Sequence, residues 1–243
     1  MATDDAVVRL ADAFQAFCPT HGQLVAPPGY RDSGFALVDA VFSMQDRYDR
    51  AHRAVTNYAA WVNRAAAPLP PSGDVDDQHD LLALRAALAG FTPQQAADQV
   101  FDNRKKSAAA NRLKAELVME AADRLTSDDV GARSRPDIAD SAADRYQAQK
   151  RAWTGIHGLG QVTFGYFRLL CGAETSKPDI MVIAWLEGVL DERPDTPRAL
   201  DLIAALTGEL HRRWSEPVLQ RAVDHTIWRH QSARSLEPTS PVT

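Results

Sequence analysis

The sequence holds only two cysteines in 243 residues, Cys18 and Cys171. That is too few for a disulfide framework or for a four-cysteine zinc or iron–sulfur site, so both thiols are expected to be reduced, buried and inert. Positive charge is also in short supply. Lys and Arg total 27 against 32 Asp and Glu, for a net charge of −5. Such a chain does not coat nucleic acid by bulk electrostatics, and any contact with it must be local. Long apolar runs are missing, and the opening "MATDDAVVRL" lacks the basic-then-apolar order of a secretory signal. The expected location is the cytoplasm, or the nucleoid in a bacterium, with no membrane partner. Period-two alternation is missing over any useful length, so the expected fold class is all-α. Apolar residues, by contrast, make up 45% of the chain, enough to build a core in one domain or in two small ones.

The apolar residues fall into helical spacing. An amphipathic segment, "VVRLADAFQAF", is followed by "CPTHGQLVAPPGYRDSG", whose prolines and glycines break any helix before Phe35. Leu37, Val41, Met44, Tyr48, Ala51, Val55, Tyr58 and Val62 then recur in steps of three and four, which fits one long helix or two with a turn near Gln45–Asp46. A solvated loop is expected between Ala65 and Asp77, then a helix from His79 to Ala89 that stops at Gly90. "TPQQ" restarts one, with Thr92 as cap, Pro93 in the first turn and Gln95 closing a capping box. It is expected to end near Asp102, where "NRKK" opens a helix carrying Leu113, Leu117, Ala121 and Leu125. "TSDDVGARSRP" reads as a loop, and further helices are expected over Ile138–Ala152, Asp179–Leu190, Pro197–Trp214 and Pro217–Gln231. The tail 232–243 is expected to be disordered.

One stretch departs from this pattern: "WTGIHGLGQVTFGYFRLLCGAETSKPDIMV". "IHGLGQVT" is a tight turn between helices in which Gly158 and Gly160 permit backbone shapes or close approaches that other residues resist. The free N–H groups of the following helix, from Gly160 through Val162 and near Thr163, would seat an anion such as a phosphate. By itself this is also what an ordinary helix–helix connection would contain.

"IHGLGQVT" resembles the helix-hairpin-helix of the endonuclease III-like DNA glycosylase superfamily, whose hairpin reads Leu-Pro-Gly-Val-Gly followed by two residues and Thr-Ala. In that family an essential Asp starts the helix after the hairpin, and Asp179 in "SKPDIMV" falls there. "FALVDAVFSMQDR" is similar to the family's early helix with its Ser-x-Gln turn, and "VFDNRKKSAAANRLKAELVMEAADRL" to the element bearing its Asn-x-Lys signature. The resemblance spans Phe35 to Leu190. It implies two helical subdomains flanking a DNA-binding cleft. One would be residues 35–178, ending in the hairpin at 156–160; the other would combine 1–34 with 179–231. It also implies base excision from double-stranded DNA carrying a damaged or modified base. Asp179 would be the catalytic carboxylate. Gly158, Leu159, Gly160, Gln161 and Thr163 would hold DNA through the hairpin, with Gln45, Phe101, Asn103, Arg104, Lys105 and Lys177 as further contacts.

Departures from the family pattern sharpen this expectation. Bifunctional members carry a nucleophilic Lys where this chain has Val162, which cannot form a Schiff base, so excision without lyase cleavage is implied. The four-cysteine cluster of many relatives cannot be built, and His157 stands in the place of the hairpin Pro. No cofactor and no metal are expected, and the chain is expected to act as a monomer. His225 and His230 are spaced so that they do not share a helical face.

Each residue also has a plainer explanation. Asp179 is a good helix N-cap. Gln45 can be an exposed helix end rather than a side chain that fills the gap left by a flipped base. Phe101 can be core rather than a wedge between base steps. Arg104, Lys105 and Lys106 can be a solvated helix start, although three cations there would oppose the helix dipole while phosphate contacts would account for them. Lys177 can be a surface residue, Trp228 is core or pocket, and Phe164, Tyr166 and Phe167 bury the hairpin's second helix. The rivals to a glycosylase are a helix-hairpin-helix DNA-binding protein without chemistry, and a helical interaction protein in which "GLG" is only a turn.

Overall fold

The structure, a computed structural model, describes residues 4–25, 29–46, 48–68, 77–139 and 142–236. Among them every regular element is helical: α1 (Asp4–Gln15), α2 (Ser33–Phe42), α3 (Tyr48–Trp61), α4 (Leu81–Leu88), α5 (Pro93–Gln95), α6 (Lys114–Leu125), α7 (Arg135–Ala139), α8 (Ala143–Thr154), α9 (Gln161–Leu170), α10 (Ile180–Leu190), α11 (Thr196–Trp214) and α12 (Gln220–Leu236), with a 3-10 turn at His21–Gln23 and a π-helical continuation of α5 over Ala96–Val100. The chain divides into two compact units, Pro28–Ala173 and a second made of Met1–Pro27 with Glu174–Thr243.

The continuous unit is built around α2. Every residue from Ser33 to Phe42 is buried, and α3, α4, α6 and α9 pack around it. A helix so enclosed must be apolar nearly all round, and "FALVDAVF" is so except at Asp39, whose buried Oδ2 accepts from the Tyr30 hydroxyl at 2.8 Å. Its N-terminus is tied down by Asp32, whose Oδ1 accepts from the backbone N–H groups of Gln78 at 2.7 Å and His79 at 3.1 Å. Tyr58, Phe42 and Phe101 pack ring to ring within this core. Asp80 caps α4 through the amide of Ala83 at 2.8 Å, and Thr92 and Gln95 close the capping box read from "TPQQ".

The discontinuous unit joins α1 to α10, α11 and α12. Leu10 and Phe14 of α1 share a core with Val182, Leu186, Leu202, Leu206, Val223 and Ile227. Asp195 caps α11 through the amide of Arg198 at 2.9 Å. Both cysteines are buried and free, Cys18 in this unit and Cys171 in the other.

Several expected boundaries move. The run from Phe35 to Val62 takes the second of its two expected forms, two helices, and the turn between them passes through Gln45 at φ 48°. Residues 103–113 are not helical. Asn103 Oδ1 accepts the amide of Lys105 at 2.9 Å, and Ser107 exchanges backbone bonds with Arg112 and Asn111. These local bonds compete with the helical ladder, which starts only where the apolar period starts, at Leu113. Arg104, Lys105 and Lys106 therefore oppose no helix dipole. The helix expected over Ile138–Ala152 is two, α7 and α8, with α7 reaching back into the expected loop. α12 continues to Leu236, into the stretch read as a tail, because "SARSL" contains no helix breaker; residues 237–243 lie outside the described residues.

Candidate DNA-contacting hairpin and catalytic carboxylate

The hairpin lies in the continuous unit. α8 ends at Thr154, Ile156 and Leu159 are buried anchors, and α9 begins at Gln161. The two glycines have different tasks. Gly158 has φ +107°, and a Cβ there would meet Ala110 Cβ at 2.8 Å and Ser107 Oγ at 3.2 Å, so the fold itself requires glycine. Gly160 has an extended backbone with nothing within 4 Å of a Cβ, so the fold does not require glycine there. The amides of Gln161, Val162 and Thr163 precede the first intrahelical bond, Phe164 N to Gly160 O at 3.1 Å, and have no acceptor within α9.

Thr163 locks this arrangement. Its Oγ1 donates to Gly160 O at 2.8 Å and accepts from Gly160 N at 3.1 Å and from Trp153 Nε1 at 3.0 Å. One donor and two acceptor sites are thereby used, so the hydroxyl positions the hairpin and has nothing left for a phosphate. Leu159, 5% exposed, likewise anchors with its side chain. Gln161 is exposed, and Val162 is 37% exposed. The loop holds its course with His157 in place of Pro, and Phe164, Tyr166 and Phe167 are buried as expected.

The Ser-x-Gln turn lies in the same unit. Gln45 is exposed on a left-handed backbone. The residue that fixes it went unnoticed in the sequence: Lys114, 2% exposed, donates from Nζ to Phe42 O at 2.8 Å and Met44 O at 2.7 Å, with Asp46 Oδ2 at 3.7 Å. A buried ammonium satisfied by the last carbonyl of α2 and by one from the turn beyond it caps that helix and pins the turn. Burial pulls Lys114 down to about 8, against the pull of Asp46. The sequence signal was a lysine inside the apolar period "LKAELV".

Phe101 is fully buried against Tyr58 and Phe42, and it is core, not a wedge. Asn103 spends its Oδ1 on its own turn. Arg104 is exposed and bonded to Asp98, including Nη2 to Oδ2 at 2.7 Å, and Lys105 Nζ lies 3.6 Å from Asp46 Oδ2. Arg104 and Lys105 remain on the surface, each with an acidic partner.

Asp179 lies in the discontinuous unit. It is the N-cap of α10, and both capping bonds, from Met181 N at 2.9 Å and Val182 N at 3.2 Å, go to Oδ1. Oδ2 takes no hydrogen bond from the described residues. Ile180, beside it, is 69% exposed. A second carboxyl belongs to this neighbourhood: Asp224 of α12, 6% exposed, whose Oδ1 accepts the amide of Lys177 at 3.2 Å. Burial, and then the negative field of Asp179, push Asp224 well above the usual carboxylate range. "VDHTIWRHQ" draws the eye to its histidines and hides Asp224. His225 stacks on Trp228 and is pulled down to about 4 by burial, while His230 stacks on Phe17 with centroids 3.9 Å apart. Among the described residues no group of three or more His, Cys, Asp or Glu is placed to hold a metal ion, and no helix is long and apolar enough to cross a membrane.

This all-α arrangement is the fold of H. pylori 3-methyladenine DNA glycosylase (MagIII) bound to 1,N6-ethenoadenine, on which the chain superposes with a TM-score of 0.61, at 13% identity, over 96% of this chain and 99% of that one. The chain belongs to the family described as Domain of unknown function (DUF8548), which matches residues 8–232. A comparison with curated protein sequences finds no match.

Proposed function

We propose that this protein is a monofunctional DNA glycosylase, which flips a damaged or modified base out of the duplex and hydrolyses its bond to the sugar. The observation that carries this reading is Asp179. It begins α10, the helix that follows the hairpin's second helix, and its capping bonds use one oxygen and leave the other uncommitted. Cap and catalyst are therefore compatible on one side chain.

Flipping costs a few kcal/mol of stacking and pairing. In the proposed reaction the N-glycosidic bond breaks with both electrons going to the base, the sugar carbon becomes oxocarbenium-like, and the Asp179 carboxylate stabilises that cation. Water adds to the carbon, and the proton it loses balances the electron pair the base took away, leaving an abasic site and free base. The amides at Gln161–Thr163 seat a phosphate, the bare face of Gly160 lets it approach, and Gln45 on its Lys114-pinned turn enters the space the base leaves. Val162 supplies no amine, so the backbone stays intact. Modified purines are the first substrate class to try, because the H. pylori enzyme is bound to one.

The test is to incubate the protein with duplexes carrying a panel of alkylated, etheno and other modified bases and to assay abasic sites by strand cleavage with alkali. Release of at least one base by wild type, and its loss in Asp179→Asn, is expected. A DNA-binding protein without chemistry is the second reading, and Asp179's existing structural task as a cap favours it. Duplex binding with no base released from any member of the panel would establish that alternative.

A further inference from the structure

The run from Glu174 to Pro178 that delivers Asp179 has no regular structure of its own. Its conformation is set from α12. Glu174 Oε2 accepts Gln220 N at 3.0 Å and its Oε1 accepts Arg221 Nε at 2.8 Å. Ser176 Oγ accepts Gln220 Nε2 at 3.2 Å, and Lys177 N donates to Asp224 Oδ1 at 3.2 Å. Gln220 and Arg221 stand four and three residues before Asp224, so the three lie on one face of the helix. Ser176, Arg221 and Asp224 are buried, which makes these bonds costly to lose.

We propose that Asp224 is a positioning residue for Asp179: with Gln220 and Arg221 it clamps the 174–178 strap, so that the Asp179 carboxylate is held with Oδ1 on the α10 cap and Oδ2 available. The proposal rests on the reading of Asp179 as the catalytic carboxylate. The last strap bond, Asp224 to the Lys177 amide, is the one nearest Asp179 in sequence. From there the chain closes a tight turn, Asp179 N to Lys177 O, directly into the cap. A shift of the Lys177 peptide is thus passed to Asp179 with no flexible residue between them except Pro178, whose ring fixes φ. Burial favours the uncharged acid at position 224, which makes asparagine a close mimic of its shape, charge and acceptor oxygen.

The test compares Asp224→Ala, Asp224→Asn and Glu174→Ala in the full chain, each with three readouts: amide hydrogen exchange, duplex affinity and single-turnover base release. Asp224→Ala is expected to speed exchange at Lys177, Met181 and Val182 and to slow base release by about tenfold or more while duplex affinity stays within about twofold. Asp224→Asn should restore both to within about threefold of wild type. Glu174 is 48% exposed, so Glu174→Ala should fold, and it is expected to move the same amides in the same direction even if Asp224→Ala does not fold. Unchanged exchange in both alanine variants overturns the proposal, as does faster exchange with wild-type base release. Faster exchange in a protein whose wild type releases no base would leave the strap anchored by Asp224 and overturn the catalytic reading of Asp179 instead.

Discussion

Trp153 donates its indole N–H to Thr163 Oγ1 at 3.0 Å, tying the last turn of α8 to the first turn of α9 across the hairpin. The same hydroxyl bonds both backbone groups of Gly160. Thr163→Val keeps the shape and removes all three bonds, stranding a buried indole N–H, and is expected to cost about 1–3 kcal/mol in urea denaturation. Duplex affinity should fall with it, because the amides lose their fixed direction. A variant as stable as wild type would mean that Trp153 finds another acceptor.

The two glycines should separate fold from recognition. Gly158→Ala places a Cβ 2.8 Å from Ala110 Cβ on a backbone at φ +107°, and is expected to destabilise the protein by more than about 1 kcal/mol. Gly160→Leu meets open space, so its melting temperature and circular dichroism should stay close to those of wild type while DNA binding weakens. Undiminished affinity in that folded variant would remove the hairpin from the interface.

At Asp179 the cap and the proposed chemistry make different demands. Asn retains much of the capping ability of Asp, so Asp179→Asn should fold within about 1 kcal/mol of wild type. An amide cannot balance a developing cation, and single-turnover excision should slow by about a hundredfold or more with duplex binding nearly intact. Wild-type excision by this variant would reduce Asp179 to a cap.

Borohydride trapping examines Val162. With no amine at that position, reaction with any processed duplex should give no covalent protein–DNA adduct on a denaturing gel. Efficient trapping would point to another amine, with Lys177 the first to replace.

The parts of this molecule legible in the sequence were those whose reasons are local. The Thr92 capping box, the Asp179 cap and the positive φ of Gly158 each need only neighbours in the chain, and each stands where the residues put it, whereas the contact of Gly158 with Ala110 and Ser107 is long-range. Residues 103–113 read as helix because the run holds polar helix-compatible residues, while the Asn103 side chain bonds the Lys105 amide and the backbone of Ser107 turns back on Arg112 and Asn111 instead. Phe101 could not be placed, since a single apolar residue at a helix end carries no mark of the face it will turn to. Lys114 and Asp224 were invisible for a different reason. Each acts through a bond to a distant segment, Lys114 to Met44 and Asp224 to Lys177, and no spacing rule reaches that far.

Lys114 also has a signature in pH. Its value in the folded protein, about 8, lies below lysine's ordinary 10.5. Between these values the unfolded chain binds the extra proton, so the group's unfavourable contribution is fully present below about pH 8 and is relieved as pH rises toward 10.5. Urea midpoints of wild type should therefore gain on those of Lys114→Met as pH rises from about 8 toward 10.5, the interval between the two values. A difference that stays constant over that interval would mean that Lys114 titrates as an ordinary lysine.

The division of the chain, with one unit continuous from Pro28 to Ala173 and the other assembled from both ends, sets an order on the ribosome. α1 is made before the continuous unit, yet Leu10 and Phe14 find their core partners only when Val182 to Ile227 have been synthesised. The middle of the chain has every element it needs once Ala173 has emerged, and domains fold as they become complete. α1 is thus buried later than the helices of the continuous unit that follow it, and until α10 to α12 are made its apolar face is exposed to whatever chaperone or neighbouring chain binds such surfaces.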